Sequence, residues 1–452
     1  MGEKVVRFNG FEDLLKHQAG TIPDRTALIF FDGGKKTMTY RQFYRAVLQR
    51  TAELKGKKKT CIGIFTDGSI DCVTEIFASV LSGMQVVMLN RTIQKEYLQE
   101  LITYTDMDIL VNYPGSVSDF EMGSGVRNCE GRILFFTSGT TERAKAVVLS
   151  DRTLTASAWN GSMMLPLKQD DILLNVLPLD HVFGFVCGLL WGLSCGASVA
   201  LGRGPRHYAD DCSYFRPTVL SAVPMLLGFL LKNQLLNEEM RLILVGAGDC
   251  PDQLMNAVKA AGIQLSFGYG LTETSSGVAI STSGDPRAMA VCPDDKITIA
   301  EDGEILIESP ECMMLGYYKH YEDTGKVLKN GVLYTGDLGR FDENGLLHIT
   351  GRKKEILVLQ DGTKIYLPEY EKELASLLHT EKLAAVLKDH KPVLVLEHSD
   401  MPEKAVLDAI EPFMKTQPRG SRISEVIVLN HALPRTETGK IRRWEIEKEI
   451  QS

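Results

Sequence analysis

The sequence predicts an α/β protein: a large N-terminal domain of helix-covered sheets with a β subdomain, followed by a small α+β C-terminal domain. Over about the first 350 residues, strand-like and helix-like segments alternate, which favours sheets covered by helices. After about residue 290, short strands are separated by Asp-Gly and Asn-Gly turns, which are typical of antiparallel hairpins. The charged segment 351–355 then precedes about 100 residues with their own pattern. A chain of 452 residues is long enough for two to four folding units.

Three strand–helix–strand units are predicted in the first part of the chain. The first has a strand at 61–65, a helix at 71–81 and a strand at 85–89. The other two place strand, helix and strand at 173–177, 188–193 and 197–201, and at 242–245, 251–261 and 263–267. Each apolar run has the length of a buried strand, and each intervening segment has helical spacing.

The β subdomain is predicted from short strands at 296–299, 303–308 and 346–349. We place the domain boundary at the charged segment that follows these strands. The sequence therefore predicts an N-terminal domain at 1–352 and a C-terminal domain at 353–452.

Composition and charge restrict the functions that can be expected. The net charge of −8 argues against general nucleic-acid binding and against adhesion to an anionic membrane. Nine cysteines are scattered without a Cys-x-x-Cys pair, so a structural zinc site is not expected, and reduced thiols suit the cytoplasm. Residues 1–7 have no apolar signal core, and no apolar run reaches the roughly 20 residues of a membrane span. We expect a cytoplasmic protein.

The most informative motif is the segment 134–145, where an apolar run ends in small hydroxylated residues around Gly139 and then Lys145. Such a loop can offer many hydrogen-bond donors to a polyphosphate while its strand stays anchored in a core. It lacks the Gly-Lys-Ser/Thr of the Walker motif. The pattern therefore favours chemistry in which ATP donates AMP to a carboxylate. Taken alone, the loop is equally a strand end followed by a Ser/Thr turn.

Four further motifs follow in the chain, at 267–274, 334–340, 351–355 and 434–442. With the loop, they resemble the adenylate-forming superfamily of acyl-CoA synthetases, luciferases and peptide-synthetase adenylation domains, and most of all an acyl-CoA synthetase. The resemblance extends from about Phe11 to Trp444. It implies that the C-terminal domain is mobile.

The resemblance implies that the loop closes over the β- and γ-phosphates of ATP. The matching positions are Thr137, Ser138, Gly139, Thr140, Thr141 and Lys145. Glu142 and Ala146 stand where glycines are usual, and Ala144 stands where proline is common. Glu142 would bring negative charge to the triphosphate unless it points outward, so weak ATP binding is one expectation.

The 267–274 motif contains an aromatic ring between two glycines. Tyr269 can stack on a purine, and Gly268 and Gly270 let the backbone approach a ligand. By resemblance, Thr272 contacts the α-phosphate and Glu273 holds Mg²⁺, a hard cation that favours carboxylate oxygen. The alternative is a Gly-rich turn capped by Thr272.

A ribose site is expected between the predicted strands around Asp337, since a carboxylate can accept two hydrogen bonds from a diol. The resemblance gives Asp337 this role and adds Arg352 as a contact to ribose or phosphate. It also places Gly246 and Ala247 at the adenine, although a strand-to-helix turn explains them too.

Two catalytic side chains are implied by the resemblance. Lys440, in a Pro-x-Thr-x-x-Gly-Lys frame, would stabilise the negative charge that develops during adenylation. His181 would stand near the carboxylate of the acid, or else is a packed core histidine. Lys354 matches the hinge, or else belongs to a solvated helix start, and Gly362 matches a glycine of the tunnel for the pantetheine thiol.

The expected function is an ATP-dependent acid–thiol ligase that uses ATP, Mg²⁺ and CoA. It forms an acyl-adenylate with release of pyrophosphate, then transfers the acyl group to CoA with release of AMP. The partners are a small carboxylic acid and CoA. The first alternative is an adenylation enzyme that loads an acyl or aminoacyl group onto the phosphopantetheine of a carrier protein. A catalytically impaired nucleotide-binding homologue is the second alternative, because of Glu142 and Ala146. Family pockets take fatty acids and aromatic acids, and the acid is left open.

Overall fold

The computed structural model describes residues 5–57, 60–112, 120–121, 131–137, 145–248, 250–282, 284–359, 364–389, 391–398, 401–435 and 441–451. The helices are α1 Phe11–Thr21, α2 Tyr40–Gly56, α3 Ile70–Leu81, α4 Lys95–Thr105, α5 Asp151–Met164, α6 Trp191–Ser194, α7 Asp211–Phe215, α8 Pro224–Lys232, α9 Asp252–Ala260, α10 Tyr321–Val327, α11 Leu367–Leu378, α12 Glu403–Thr416 and α13 Arg443–Gln451. A π-helix, Phe183–Leu190, leads directly into α6.

The strands in the first part of the chain are β1 Thr26–Phe31, β2 Lys35–Thr39, β3 Cys61–Phe65, β4 Gln85–Leu89, β5 Ile109–Val111, β6 Phe120–Glu121, β7 Arg132–Phe136, β8 Ala146–Ser150, β9 Ile172–Asn175, β10 Ser198–Leu201, β11 Val219–Ala222, β12 Leu242–Val245 and β13 Gln264–Leu271. Those that follow are β14 Ser276–Ile280, β15 Ala290–Val291, β16 Lys296–Ile299, β17 Glu304–Glu308, β18 Gly316–Tyr317, β19 Leu328–Lys329, β20 Val332–Phe341, β21 Leu347–Arg352, β22 Ile356–Val358, β23 Lys364–Tyr366, β24 Leu383–Lys388, β25 Lys391–Glu397 and β26 Val426–Leu429.

Two large sheets form most of the N-terminal part. One has nine strands in the order β15-β14-β13-β12-β11-β9-β10-β1-β2, and the other has seven in the order β18-β8-β7-β4-β3-β5-β6. The three predicted strand–helix–strand units lie in these sheets. In each unit the two strands pair directly and in parallel. The α/β class is therefore confirmed.

One buried core extends from Phe8 to Leu347 and takes residues from both large sheets. The ring centroids of Phe11 and Phe77 lie 4.5 Å apart, and that of Phe185 lies 5.9 Å from that of Phe135. These four rings come from α1, α3, β7 and the π-helix, so aromatic packing joins three helices to a strand of the seven-stranded sheet.

The antiparallel part forms a separate sheet in the order β16-β17-β20-β19, with β21 paired to β20. The predicted β subdomain is thus confirmed. Beyond it, β22 pairs with β23, and β24-β25-β26 form a three-stranded sheet. Two buried clusters of this last part draw only on described residues from Leu357 onward.

The helix expected at 188–193 begins earlier, as the π-helix. Its glycines allow close packing: a Cβ at Gly184 would lie 2.1 Å from the Pro178 carbonyl oxygen, and one at Gly188 would lie 3.0 Å from the Asn175 side chain. The glycines that interrupt the apolar pattern therefore lie where the helix packs closely on the Pro178 carbonyl and on the Asn175 side chain. Extra-wide helical turns of this kind are frequent at functional sites.

Two motifs lie at least partly in strands. The strand predicted at 263–267 continues to Leu271, because Gly268–Leu271 pairs with β14. The expectation that Asp337 lies between strands is wrong, since Asp337 lies within β20 and pairs with Arg352 of β21. In the described part of the chain, no helix has both the length and the apolar character needed to cross a membrane.

Candidate active site

Asp337, Tyr269 and Arg352 meet where the nine-stranded sheet approaches the antiparallel sheet. The Tyr269 hydroxyl donates a hydrogen bond to Asp337 Oδ2 at 2.9 Å, and Arg352 Nε lies 2.8 Å from Oδ1. Asp337 is only 3% exposed. Burial, with the Asp337 charge adding to it, raises the pKa of Tyr269, so its phenol stays protonated and remains a donor.

Strand pairing explains this meeting. Asp337 and Arg352 are register partners in β20 and β21. Tyr269 lies in the second half of β13, the half that pairs with β14. The backbone N–H of Asp337 also donates to Thr335 Oγ1 at 3.0 Å, within the same strand β20. The carboxylate itself is held by the Tyr269 hydroxyl on one oxygen and by Arg352 on the other.

Thr272 and Glu273 lie in a short 3₁₀ turn, Thr272–Thr274, directly after β13. The Tyr317 hydroxyl donates to Glu273 Oε1 at 2.7 Å. Burial raises the pKa of Tyr317, and the Glu273 charge raises it further, so this phenol also stays a donor. Glu273 is thus oriented at the end of the strand that carries Tyr269.

Lys145 borders the same turn. Its Nζ lies 5.1 Å from the centre of the Tyr317 ring and 3.0 Å from Asp323 Oδ2. The backbone N–H of Thr137 donates to the Lys145 carbonyl at 3.0 Å, so the two ends of the phosphate-loop motif are held together. Ala146, where a glycine is usual, begins β8 and is fully buried. The rest of the motif, Ser138, Gly139, Thr140, Thr141, Glu142 and Ala144, lies outside the described residues.

Gly246 follows β12, and a Cβ there would lie 2.9 Å from the Phe183 ring. Ala247 has a φ of 62°, a left-handed conformation that few non-glycine residues adopt. Gly268 and Gly270 flank Tyr269 on β13, and a Cβ at Gly270 would collide with the Ser276 carbonyl. Close packing within the protein itself therefore requires glycines at 246 and 270.

His181 lies in the turn before the π-helix. Its carbonyl accepts from the backbone N–H of Phe185 at 2.9 Å. The adjacent Asp180 is buried and accepts from Thr66 Oγ1 at 2.8 Å and from Asn90 Nδ2 at 3.2 Å. These bonds anchor the His181 segment to the seven-stranded sheet, while Phe183, two residues on, packs on Gly246. The segment therefore borders the Gly246 turn.

The hinge region is described only in part. The backbone of Lys354 lies in the 3₁₀ turn Lys353–Glu355, between β21 and β22. Lys353 Nζ lies 2.6 Å from Asp302 and 2.7 Å from Glu304, so the start of this turn is tied to the antiparallel sheet. Gly362 and Lys440 lie outside the described residues.

Sequence reasoning missed Tyr317 and Asp323. Both join this site because β18 pairs antiparallel with β8, which brings Tyr317 opposite Val147, two residues after Lys145. A Gly-Tyr-Tyr stretch is a weak signal by itself, and the pairing partner is about 170 residues away in sequence.

A small apolar cavity of about 20 Å³ lies next to the segments that carry Gly246 and Gly270. It is lined by Ser157, Ala158, Gly161, Leu165, Val186, Cys187, Trp191, Leu244, Gly277 and Ile280. Leu244 is two residues before Gly246, and Gly277 pairs with Gly270, so the cavity is adjacent to the turns that carry the site. Burial raises the pKa of Cys187 to about 11, and this thiol is therefore neutral at physiological pH.

The chain belongs to the family of AMP-binding enzymes, whose model matches residues 15–132 and 130–318. This membership confirms the resemblance on which the sequence analysis relied. A 2-succinylbenzoate–CoA ligase of Bacillus cereus (strain AH820) is 27% identical over 404 residues, which cover 80% of this chain and 82% of that one.

Two solved structures have the same fold. O-succinylbenzoate coenzyme A synthetase (MenE) from Bacillus subtilis, in complex with AMP, superposes with a TM-score of 0.78 at 22% identity, over 96% of this chain and 98% of that one. ATP-bound MatB from Rhodopseudomonas palustris also gives 0.78, at 20% identity, over 98% and 99%. The fold therefore extends over nearly the whole chain.

Proposed function

We propose that the protein is an AMP-forming acid–CoA ligase. The observation that carries this proposal is the meeting of Asp337, Tyr269 and Arg352 beside the Glu273–Lys145 group, in a chain that belongs to the AMP-binding enzymes. Two of the relatives named above, the 2-succinylbenzoate–CoA ligase and O-succinylbenzoate coenzyme A synthetase, use CoA by their names, which supports the choice of CoA as the thiol.

The side chains fit a magnesium nucleotide. A buried carboxylate such as Asp337 suits a ribose diol, and the half-exposed Arg352 can turn toward a phosphate while Asp337 accepts the diol. The described residues contain no group of three or more metal-ligating side chains, and Mg²⁺ in nucleotide sites commonly needs only one or two carboxylates besides phosphate oxygens. Glu273 would be that carboxylate, and the bound ion would neutralise phosphate charge.

The reaction has two steps. A carboxylate oxygen of the acid attacks the α-phosphorus of ATP, the bond to pyrophosphate breaks, and an acyl-adenylate forms. The thiol sulfur of CoA then attacks the acyl carbon, loses its proton, and expels AMP. Lys145 would hold the leaving phosphates, Thr272 the α-phosphate, Gly246 and Ala247 the adenine, and His181 would border the acid.

The C-terminal part would supply the remaining groups. Lys440 would stabilise the first step, Gly362 would line the thiol tunnel, and Lys354 would act as the hinge between domains 1–352 and 353–452. The separate buried clusters of residues 8–347 and 357–446 support this division.

Exchange of pyrophosphate into ATP tests the proposal. Exchange should depend on an added carboxylic acid, and addition of CoA should yield AMP and a thioester. If no acid in a broad library supports exchange, the protein is instead a nucleotide-binding homologue without catalysis, as Glu142 and Ala146 suggest. Thioester formation with a carrier protein but not with free CoA would favour the carrier-protein ligase.

The acid is proposed to be an apolar monocarboxylic acid, and a role in fatty acid metabolism is compatible with it. None of the residues that line the cavity is charged. 2-Succinylbenzoate carries a second carboxylate, and burying that charge beside these side chains without a cation would be costly. The volume of about 20 Å³ suits an end group of about the size of a water molecule or a methyl.

Gly161→Ala and Gly277→Ala should shift the preference toward shorter acids. A new Cβ would lie 3.8 Å from Trp191 at position 161 and 3.9 Å from Ile280 at position 277, so each methyl reduces the cavity without a clash. We expect kcat/KM for the best wild-type acid to fall about tenfold, because one methylene in an apolar pocket is worth about 10- to 200-fold. Rates over a series of acids of increasing length provide the measurement.

Gly228→Ala is the matched control. Gly228 lies in α8, and a Cβ there would contact Leu254 at 3.6 Å, away from the cavity lining. It should leave the length preference unchanged. An unchanged preference in both cavity variants as well would contradict the assignment of this cavity to the acid.

A further inference from the structure

Lys145 is already paired with a carboxylate at the site. Its Nζ lies 3.0 Å from Asp323 Oδ2, and the two side chains are 33% and 24% exposed. The Tyr317 ring lies beneath the ammonium, and the Tyr317 hydroxyl binds Glu273. These four residues, here called the Lys145 cluster, bring two anions and one cation together at the proposed phosphate site.

Asp323 is held firmly in this position. It lies in the first turn of α10. The next residue, Thr324, fixes this helix to β18, because its Oγ1 accepts a hydrogen bond from the backbone N–H of Tyr317 at 2.9 Å. Hydrogen bonds from Lys326 first, and from Lys145 next, lower the pKa of Asp323 to about 2. The carboxylate is therefore ionised at physiological pH.

Asp323 does not depend on Lys145 for charge balance. Lys326 Nζ lies 2.7 Å from Asp323 Oδ1, on the other carboxylate oxygen, and His320 Nδ1 lies 3.8 Å from Oδ2. When Lys145 turns away, Asp323 thus keeps a cationic partner and some contact with solvent. The pair can open without leaving an isolated buried charge.

We propose that Asp323 competes with the phosphates of ATP for Lys145 and thereby weakens the binding of ATP. This inference rests on the proposed function, which brings the triphosphate to Lys145. An ammonium shared between a carboxylate and a phosphate attracts each less than it would attract one alone. Asp323 therefore raises the dissociation constant of ATP.

Asp323→Asn tests the proposal, because it keeps the side-chain size and removes the charge. The dissociation constant of Mg-ATP, measured by calorimetry without acid or CoA, should fall about two- to fivefold, the scale of a partly exposed ion pair. In a Lys145→Ala background the same substitution should have no effect. Thermal unfolding of each variant verifies that the fold is retained.

Glu322→Gln is the matched control, since it neutralises the neighbouring exposed carboxylate on α10 and should leave ATP affinity unchanged. An unchanged or weakened ATP affinity in Asp323→Asn would overturn this inference and leave the proposed function standing. So would an equal gain in the Lys145→Ala background, which would indicate a general charge effect. If the wild-type chain binds no ATP, the proposed function falls, and this inference falls with it.

Discussion

Replacing Asp337 by alanine is expected to weaken ATP binding by about 100-fold or more. A hydrogen bond to a charged group is worth about 1.5–3 kcal/mol, and the carboxylate is proposed to accept two from the ribose diol. The loss would also release Arg352 and the Tyr269 hydroxyl, which Asp337 now holds at 2.8 and 2.9 Å. Calorimetric titration with Mg-ATP gives the dissociation constant directly.

The controls for Asp337→Ala separate binding from folding. Arg352 is half exposed, so its charge is solvated when Asp337 is removed, and thermal unfolding should change little beyond the loss of the Tyr269 partner. Asp302→Ala removes a carboxylate that pairs with Lys353 from the turn before β17, and it should leave ATP affinity unchanged. If Asp337→Ala binds ATP as tightly as the wild type, the ribose assignment is wrong.

Local patterns were sufficient for most of the architecture. The strands at 61–65, 85–89 and 242–245 were predicted with the bounds that the structure has, because each is an apolar run buried on both faces of a sheet. The motif residues could be found for a related reason. The five motifs occur in the order of the family that the chain resembles, and side chains in several of them have chemistry that suits one part of a nucleotide.

Contacts between distant strands could not be read from the sequence. The Tyr-Thr-Gly-Asp stretch around Asp337 has the composition of a turn, yet it lies in a strand that pairs with both β17 and β21. Tyr317 and Asp323 contact Glu273 and Lys145 only because β18 pairs with β8. Sheet order of this kind depends on packing over the whole domain, whereas propensity acts over a few residues.

The π-helix was missed for a steric reason. Glycines at 184 and 188 interrupt the apolar periodicity, and the pattern alone predicted a helix that starts only at Gly188. In the structure these glycines are where the helix touches Pro178 and Asn175. A glycine that permits such contact and a glycine that ends a helix look alike in a single sequence.

Lys440→Ala is expected to have the largest effect of all and to affect only one half-reaction. Adenylation, measured by acid-dependent pyrophosphate exchange, should slow by about 10²- to 10³-fold, since a positioned cation stabilises charge that develops on the transferring oxygens. The rate of thioester formation from supplied acyl-adenylate and CoA should stay within about twofold of the wild type. In that step the thiol attacks the acyl carbon, so the charge that Lys440 is proposed to stabilise at the α-phosphate does not develop.

The selectivity of this loss is what distinguishes a catalytic lysine from a structural one. Lys448→Ala, on the exposed face of α13 in the same C-terminal part, is the matched control and should affect neither step. An equal loss in both half-reactions would mean that Lys440 supports the fold or the domain arrangement rather than adenylation. Loss of adenylation alone is the result expected if the small domain brings Lys440 to the large domain for the first step and withdraws it for the second. The separate cores of residues 8–347 and 357–446 are compatible with such movement about the turn that contains Lys354.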